Sequence, residues 1–123
     1  MFNAARRITG PYVIPDGKAE IVGGITNKTP TAAYRGTGSP EAAYGIERTM
    51  DLIAKDLGLD PVEVRRRNYI PKDAFPYRSC TGNMYDSGDY DRVLDRALEL
   101  VEYPRWRERV RQRKPGEPFM GIG

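Results

Sequence analysis

The chain has 123 residues, of which 39% are hydrophobic and 30% are charged, and its formal net charge is +3. These values describe a soluble protein the size of one domain, with a modest core. With no histidine and a single cysteine, Cys80, the sequence excludes Ser-His-Asp and Cys-His catalysis, histidine-ligated zinc, an internal disulfide and an iron–sulfur cluster held by this chain. Any redox chemistry must come from a cofactor that the chain helps to bind.

The sequence carries no signal for a membrane or for secretion. No apolar run approaches the roughly 20 residues that span a bilayer. The arginines near the N-terminus are not followed by the apolar segment of a signal peptide. We therefore expect a cytoplasmic protein with no membrane partner.

The first 30 residues are predicted to be extended. Residues 11–15 form a short apolar stretch bracketed by prolines, and residues 18–22 alternate in polarity like a half-buried strand. Asp16-Gly17, between the two stretches, is a turn signal. The pattern predicts an N-terminal strand hairpin.

A glycine-rich segment, Tyr34 to Ser39, follows and leads directly into a helical pattern. Gly36 and Gly38 allow the backbone to approach a ligand closely, and the N–H groups at the start of the helix favour an anionic or oxo group nearby. The same residues are at least as compatible with a plain glycine-rich connection before a capped helix. Physical reasoning alone leaves both interpretations open.

The first of three predicted helices begins at the end of this segment. Ser39 is a suitable N-cap, and Pro40 is a suitable first helical residue. The apolar residues that follow recur at helical spacing on one face as far as Gly58, which is suited to end the helix.

Two further helices and a basic tail complete the chain. A short helix is predicted from Pro61 to about Asn68, and a third helix from about residue 89 to residue 102. A long aromatic loop, residues 71–88, separates them and is expected to be functional or to pack on a neighbour. Residues 104–123 form a basic, partly helical tail that ends in the apolar start of a further strand. The predicted fold class is α+β, with an N-terminal strand hairpin, the glycine-rich loop and then three helices.

Seven segments resemble, in order and spacing, the large subunit of the molybdenum hydroxylases, the family of xanthine dehydrogenase, aldehyde oxidase and carbon monoxide dehydrogenase. They are residues 8–14, 27–30, 33–41, 57–61, 65–70, 73–77 and 85–89. Each segment alone is a weak signal, but seven in register identify the chain as a fragment of a larger molybdopterin-binding domain. The resemblance implies one partial domain over residues 1–123. Its strands and active-site loop are expected at 8–38, its helical part at 39–103, and its basic tail with the start of a further strand at 104–123.

The resemblance gives roles to three residues of the glycine-rich segment. Arg35 matches an arginine beside the pterin-bound molybdenum, Gly36 lets the backbone pass close to the cofactor, and Thr37 faces the substrate. Threonine cannot stack on a flat heterocycle as the aromatic residue of xanthine-type members does, which argues against a purine-specific xanthine dehydrogenase. Gly36 stands where members that oxidise carbon monoxide carry a copper-bearing cysteine, which argues against that activity.

The implied protein is a fragment of a molybdenum-dependent oxidoreductase that hydroxylates an aldehyde or an N-heterocycle with oxygen from water. The implied cofactor is molybdenum–molybdopterin in its cytosine dinucleotide form, with no iron–sulfur cluster or flavin on this chain. The catalytic glutamate of the family matches nothing here, so no catalytic residue or metal ligand is assigned, and the chain alone is expected to be inactive. The expected partners are the remaining large-subunit segments and the iron–sulfur and flavin subunits.

The alternative function is a stand-alone basic helical module that binds RNA or another protein through its C-terminal arginines. Acidic residues are interleaved with these arginines and no aromatic RNA-binding pattern accompanies them, which favours a solvated face or a subunit contact. Arg35→Ala should leave an RNA-binding protein unchanged. Arg109→Ala with Arg113→Ala should weaken its binding and lower the salt dependence.

Overall fold

The computed structural model describes residues 2–30 and 32–122 of the chain. Its α-helices are α1 (Phe2–Arg7), α2 (Ser39–Leu57), α3 (Pro61–Asn68), α4 (Tyr90–Leu100) and α5 (Tyr103–Arg111). A 3-10 turn (Lys72–Ala74) and two short antiparallel strands, β1 (Tyr77–Arg78) and β2 (Met84–Tyr85), lie between α3 and α4. The described part of the fold is thus mostly helical with one small antiparallel sheet, and no helix in it is long and apolar enough to cross a bilayer. The chain divides into two compact units, Met1–Tyr90 and Asp91–Gly123.

Helices α2, α3 and α4 lie where the sequence predicts three helices, but the start of α2 differs in detail. The N-cap is Gly38, with φ at +81° and no side-chain capping bond, and Ser39 is the first helical residue rather than the cap. Gly58 ends α2 in the left-handed conformation, as its position predicts. Asp60 caps α3 by accepting a hydrogen bond from the N–H of Val62 at 2.9 Å.

The predicted N-terminal strand hairpin is wrong. Backbone hydrogen bonds of 2.8 and 3.0 Å instead join residues 11–13 to residues 68–70, around an antiparallel bridge between Tyr12 and Tyr69. The two tyrosine rings stack with centroids 5.5 Å apart, and Tyr12 is only 1% exposed. Burial of this aromatic ring stabilises the long-range pairing, whereas an isolated two-stranded hairpin is marginally stable in water.

The core of the first unit lies between α2, α3 and the segment around Tyr12. Its buried residues are Tyr12, Met50, Ala54 and Val64, and partly buried apolar side chains pack around them. The apolar spacing of α2 predicts a buried position for Met50, and Ala54, one turn further along the same helical face, is buried beside it.

Arg65, a residue of α3, forms side-chain hydrogen bonds with two residues of α2. Its Nε donates to Glu47 Oε2 at 2.8 Å and its Nη2 donates to Asp51 Oδ1 at 3.0 Å. The other oxygen of Glu47 accepts the hydroxyl of Tyr12 at 2.8 Å. Burial would lower the pKa of Arg65, but the hydrogen bonds with Glu47 and Asp51 outweigh it, and the pKa is raised above its ordinary value. Three separate stretches of chain therefore meet in one network.

The Tyr12 hydroxyl is expected to make the stability of the fold depend on pH in the alkaline range. Burial, followed by the hydrogen bond to Glu47 and the charge of that carboxylate, raises the pKa of Tyr12 above its ordinary value of 10.0. Because the folded pKa is the higher one, the stabilisation is complete below the unfolded pKa and is lost as the pH rises above it. We expect the free energy of unfolding to fall between about pH 9 and about pH 11, across the unfolded tyrosine pKa.

Urea titrations of the wild-type chain and of Tyr12→Phe at these two pH values measure that fall. The phenylalanine variant should lose less stability over the interval, because it has no proton to release. Tyr44→Phe, at a tyrosine that is 74% exposed, is the control and should follow the wild type. Equal falls for Tyr12→Phe and the wild type would contradict the prediction.

The second unit contains α5 and the basic tail. The Arg105 and Arg109 guanidinium groups lie 5.8 and 5.9 Å from the ring of Trp106, and Arg113 lies 3.7 Å from the ring of Phe119. Residues 112–122 contain no strand in this structure, and the predicted start of a further strand at the end of the chain stays a prediction. The sequence analysis also predicts three parts of the domain, with boundaries after residues 38 and 103, and this division stays a prediction.

Candidate cofactor-binding site

The glycine-rich segment forms a tight turn, Tyr34–Gly38, directly before α2. The N–H of Thr37 donates to the Tyr34 carbonyl at 2.9 Å, and the N–H of Ser39 donates to the Gly36 carbonyl at 2.8 Å. Gly36 has φ of +98° and Gly38 has φ of +81°, values that residues with a Cβ rarely adopt. The backbone of the turn therefore requires both glycines, whether or not a ligand is bound.

Helix α1 packs against the end of this turn. A Cβ atom on Gly38 would lie 2.8 Å from the backbone nitrogen of Ala4 and 3.1 Å from its Cβ. One turn later in α1, Arg7 Nη1 donates to Ser39 Oγ at 2.7 Å. The position of the turn is thus set by contact with α1 as well as by α2.

The hairpin formed by β1 and β2 contacts α1 and the residues that follow it. Thr81 Oγ1 donates to the Arg6 carbonyl at 2.7 Å, and the Tyr85 hydroxyl donates to the Gly10 carbonyl at 2.6 Å. The long aromatic loop predicted between α3 and α4 therefore packs, in part, on the N-terminal segment of the same chain.

Arg35, Gly36 and Thr37 lie together in the turn but differ in what their groups contact. Arg35 is exposed, and within residues 2–30 and 32–122 its guanidinium forms no ion pair or hydrogen bond. A Cβ on Gly36 would meet nothing closer than Pro40 Cδ at 3.7 Å, so the space beside its backbone is open. The Thr37 hydroxyl donates to the Tyr34 carbonyl and is used within the turn.

The donor groups of the turn fit an anionic or oxo-bearing cofactor. Arg35 offers a permanent positive charge with several N–H donors, and the open backbone at Gly36 lets a ligand approach closely. The start of α2 adds the partial positive charge of a helix N-terminus. In the described ranges no cluster of three His, Cys, Asp or Glu side chains could hold a metal ion. A cofactor that carries its own metal would therefore be contacted by the backbone of the turn at Gly36 and by the guanidinium of Arg35.

A shallow cavity of about 380 Å³ lies between residues 7–11, the first half of α2 and β2. None of the three residues of the turn that the sequence nominates lines it. Most of its polar side chains already bind within the protein, since Arg7 contacts Ser39, Glu47 contacts Tyr12 and Arg65, and Tyr85 contacts Gly10. We therefore place the candidate site at the turn and not in this cavity.

Comparison with known proteins shows the family to which the whole chain is similar. Residues 1–69 match the molybdopterin cofactor-binding domain family. The carbon monoxide dehydrogenase large chain of Hydrogenophaga pseudoflava is 42% identical over 120 residues, which cover 94% of this chain and 15% of that protein. The nicotine 6-hydroxylase large subunit of Paenarthrobacter nicotinovorans is 33% identical over 120 residues, which cover 98% of this chain and 14% of that protein.

The fold is also similar to a solved structure. The crystal structure of a Cu,Mo-carbon monoxide dehydrogenase in the carbon monoxide reduced state matches with a TM-score of 0.74 and 32% identity, over 87% of this chain and 14% of that chain. The chain therefore spans about 15% of the length of the relatives that it matches. From the match over residues 1–69 and from these relatives, the chain belongs to the molybdopterin cofactor-binding domain family and corresponds to part of the large subunit of a molybdenum hydroxylase of the xanthine dehydrogenase type.

Proposed function

We propose that this chain forms one wall of the molybdenum–molybdopterin site in a large subunit that hydroxylates an aldehyde or an N-heterocycle with oxygen from water. The observation that carries the proposal is the Arg35 guanidinium, which makes no ion pair or hydrogen bond within residues 2–30 and 32–122, next to the open backbone of Gly36 in a chain of this family. When bound, the cofactor supplies the redox centre that the side chains of this chain cannot provide.

Each residue of the turn has a separate task in this proposal. Arg35 donates hydrogen bonds to anionic or oxo groups of the cofactor, and Gly36 allows its backbone to lie against the same group. Thr37 faces the substrate. Because its hydroxyl is held by the Tyr34 carbonyl, the methyl group is the part left to contact a substrate.

The proposed substrate class follows from the residues of the turn. Nicotine 6-hydroxylase is named for nicotine, an N-heterocycle, and its large subunit is a relative. The carbon monoxide dehydrogenase that matches in structure is named as a copper and molybdenum enzyme. Thiolates suit copper as ligands, but Gly36 carries no thiol and Cys80 is a free, exposed cysteine in the loop between β1 and β2. We therefore propose an organic carbonyl or ring substrate and not carbon monoxide.

The proposal extends to the cofactor form and to the partners. The cofactor is the cytosine dinucleotide form of molybdopterin, and the partners are the remaining large-subunit segments with iron–sulfur and flavin subunits. Relatives that are named as large chains or large subunits support a multi-subunit assembly. The chain alone is inactive in this proposal, and its expected location remains the cytoplasm.

Arg35→Ala in the assembled enzyme that contains this chain tests the proposal. Hydrogen bonds to charged groups contribute about 1.5–3 kcal/mol, so we expect the variant to release its cofactor about 10- to 100-fold more readily. Molybdenum and pterin that remain after dialysis are measured by mass spectrometry and by fluorescence. Arg48→Ala, at an exposed arginine of α2 that makes only a 3.8 Å ion pair with Asp51, is the matched control.

Equal cofactor retention in Arg35→Ala and Arg48→Ala would contradict the assignment of Arg35. The double variant Arg109→Ala with Arg113→Ala addresses the alternative of a basic binding module, which none of the relatives supports. This double variant should retain the cofactor. RNA binding by the wild-type chain that these two substitutions abolish would favour the alternative instead.

A further inference from the structure

Arg7, the last residue of α1, forms a side-chain hydrogen bond with the start of α2. Its Nη1 donates to Ser39 Oγ at 2.7 Å, although the two residues are 32 positions apart. Within residues 2–30 and 32–122, the guanidinium forms no ion pair and no other hydrogen bond. In the described part of the chain, the polar contact of Arg7 is therefore directed at Ser39 alone.

Ser39 connects this contact to the turn of the candidate site. Its hydroxyl accepts from Arg7, while its N–H donates to the Gly36 carbonyl at 2.8 Å and closes the turn. Gly36 directly follows Arg35. A shift of Ser39 would therefore change the backbone at Gly36, and with it the direction of the Arg35 side chain.

The backbone that carries Arg7 is held on both sides by the hairpin of β1 and β2. Thr81 Oγ1 donates to the carbonyl of Arg6 at 2.7 Å. The Tyr85 hydroxyl donates to the carbonyl of Gly10 at 2.6 Å. Because a helix as short as α1 is not stable by itself, these tertiary bonds determine where its last residue lies. Arg7 thus contacts the turn from a fixed position.

The hydroxyl of Ser39 is not used to stabilise α2 itself. A serine at the start of a helix usually accepts hydrogen bonds from the first N–H groups of that helix. The N-cap of α2 is instead Gly38, which has no side-chain capping bond, and the Ser39 hydroxyl accepts from Arg7. Departures from the locally favoured arrangement are expected at functional sites, and this one directly follows the turn.

We propose that Arg7 is a positioning residue of the candidate site, whose hydrogen bond to Ser39 holds the turn in the conformation that presents Arg35 and Gly36 to the cofactor. The inference rests on the proposed function, because it takes Arg35 as the residue that binds the cofactor. Arg7 acts through Ser39 and makes no contact with the cofactor itself.

Hydrogen–deuterium exchange in the 123-residue chain, where no cofactor contributes protection, tests the ordering of the turn. The amide of Thr37 donates within the turn and exchanges when the turn opens. One hydrogen bond changes such an equilibrium by about 2- to 13-fold. We therefore expect Arg7→Ala and Ser39→Ala each to speed exchange of this amide by about 3- to 10-fold.

Arg6→Ala is the matched control for this experiment. Arg6 is the neighbouring exposed arginine of α1, and its guanidinium donates to the Gly82 carbonyl at 3.3 Å and not to the turn. The control makes the same substitution in the same short helix, and Thr37 should exchange in it as in the wild type. Equal exchange of Thr37 in Arg7→Ala and Arg6→Ala would overturn the proposal.

Cofactor retention by the assembled enzyme tests the positioning role. Arg7→Ala and Ser39→Ala remove the same hydrogen bond from opposite ends, so each should release the cofactor about 3- to 10-fold more readily than Arg6→Ala. The double variant should release it no more readily than either single variant. Release from Arg7→Ala with full retention in Ser39→Ala would mean that Arg7 contacts the cofactor directly, and full retention in both would mean that the bond is dispensable. Either result would overturn the proposal.

Two further substitutions separate the hydrogen bond from the packing of the aliphatic part of Arg7. Arg7→Lys keeps a positive charge and an N–H donor, whereas Arg7→Met keeps an apolar chain without a donor. Arg7→Lys should recover part of the cofactor retention that Arg7→Ala loses, and Arg7→Met should not. Equal recovery by both variants would assign the effect to packing and would overturn the proposal.

This inference and the proposed function fail separately. If Arg35→Ala releases its cofactor while Arg7→Ala matches Arg6→Ala in both measurements, the proposed function stands and the role of Arg7 is wrong. If Arg7→Ala speeds exchange of Thr37 while Arg35→Ala retains its cofactor, the assignment of Arg35 is wrong, and Arg7 orders a turn that does not hold the cofactor.

Discussion

Gly38→Ala is expected to displace α1 from the turn of the candidate site and to lower the free energy of unfolding by about 2–5 kcal/mol. A residue with a Cβ in the left-handed conformation costs about 1–2 kcal/mol, and Gly38 has φ of +81°. The new Cβ would also lie 2.8 Å from the backbone nitrogen of Ala4, which no rotamer change can relieve. Overpacking of this kind costs about 1–3 kcal/mol more.

Gly58→Ala is the matched control for this prediction. Gly58 also has a positive φ, +65°, but a Cβ there would meet no atom within 4 Å. The control therefore carries the backbone strain without the clash, and we expect a loss of about 1–2 kcal/mol. Urea titration of both variants gives the difference, which measures the contact with α1. Equal losses would show that Ala4 moves away freely and would contradict the packing described for the turn.

The same displacement should be visible at the candidate site. Movement of α1 would separate Arg7 from Ser39, whose atoms are 2.7 Å apart. The turn would then be held by α2 alone, and Arg35 within it would become a better trypsin site, because proteases cleave loosely held loops. Faster cleavage after Arg35 in Gly38→Ala than in Gly58→Ala would link the packing of α1 to the order of the turn.

Local signals predict the helices of this chain well. Gly58 ends α2, and Asp60 caps α3 with its own side chain. The apolar spacing of α2 marks a face on which Ala42 and Met50 are buried, but Leu57 at its end is 64% exposed. These signals act over four or five residues and need no knowledge of the rest of the fold. The one error at the start of α2 comes from a long-range contact, because Ser39 binds Arg7, 32 positions away, and Gly38 takes the capping position.

Long-range contacts account for what the sequence does not reveal. Tyr12 stacks on Tyr69 rather than pairing within a local hairpin, and no periodicity connects two residues so far apart. Helix α1 has only 6 residues and depends on tertiary contacts. Its bond to the turn joins residues 32 positions apart, and the bond from Tyr85 to Gly10 joins residues 75 positions apart.

The turn that carries the candidate site was predictable from the sequence, but its contacts were not. The glycines and the arginine mark the turn in the sequence, and the resemblance to the molybdenum hydroxylases gives it a purpose. Three features depend on the folded geometry: Arg35 has no partner among the described residues, Thr37 binds the carbonyl of Tyr34, and α1 packs against the turn.

Arg65→Ala is expected to lower the free energy of unfolding by about 2–3 kcal/mol, through loss of the network between α2 and α3. Its side chain is 18% exposed and donates to Glu47 and Asp51. Breaking a fully buried ion pair costs about 3–5 kcal/mol. The two carboxylates here are 39% and 41% exposed, so water can solvate them once the arginine is gone, and the expected loss is smaller.

Arg67→Ala, on the same helix, isolates the effect of the network. Arg67 pairs with Glu63 at 2.7 Å, as short as any bond of Arg65, but its side chain is 61% exposed. Exposed pairs of this kind contribute about 0.3–0.5 kcal/mol, and both alanine substitutions change the helix propensity of α3 in the same way. Urea titration of the two variants thus compares ion pairs that differ in burial and connectivity. Equal losses would contradict the role given to Arg65.

The cofactor content of the assembled enzyme distinguishes two ways in which Arg65 could matter. If α3 stabilises the core without setting the position of the turn, Arg65→Ala should lower stability and leave cofactor retention unchanged. Arg65 acts on α2 at Glu47 and Asp51, two and three helical turns beyond Ser39. Contacts with α1, by contrast, act at Gly38 and Ser39 themselves. We therefore expect Gly38→Ala to reduce cofactor retention and Arg65→Ala to spare it, and the reverse order would assign the positioning of the turn to α3.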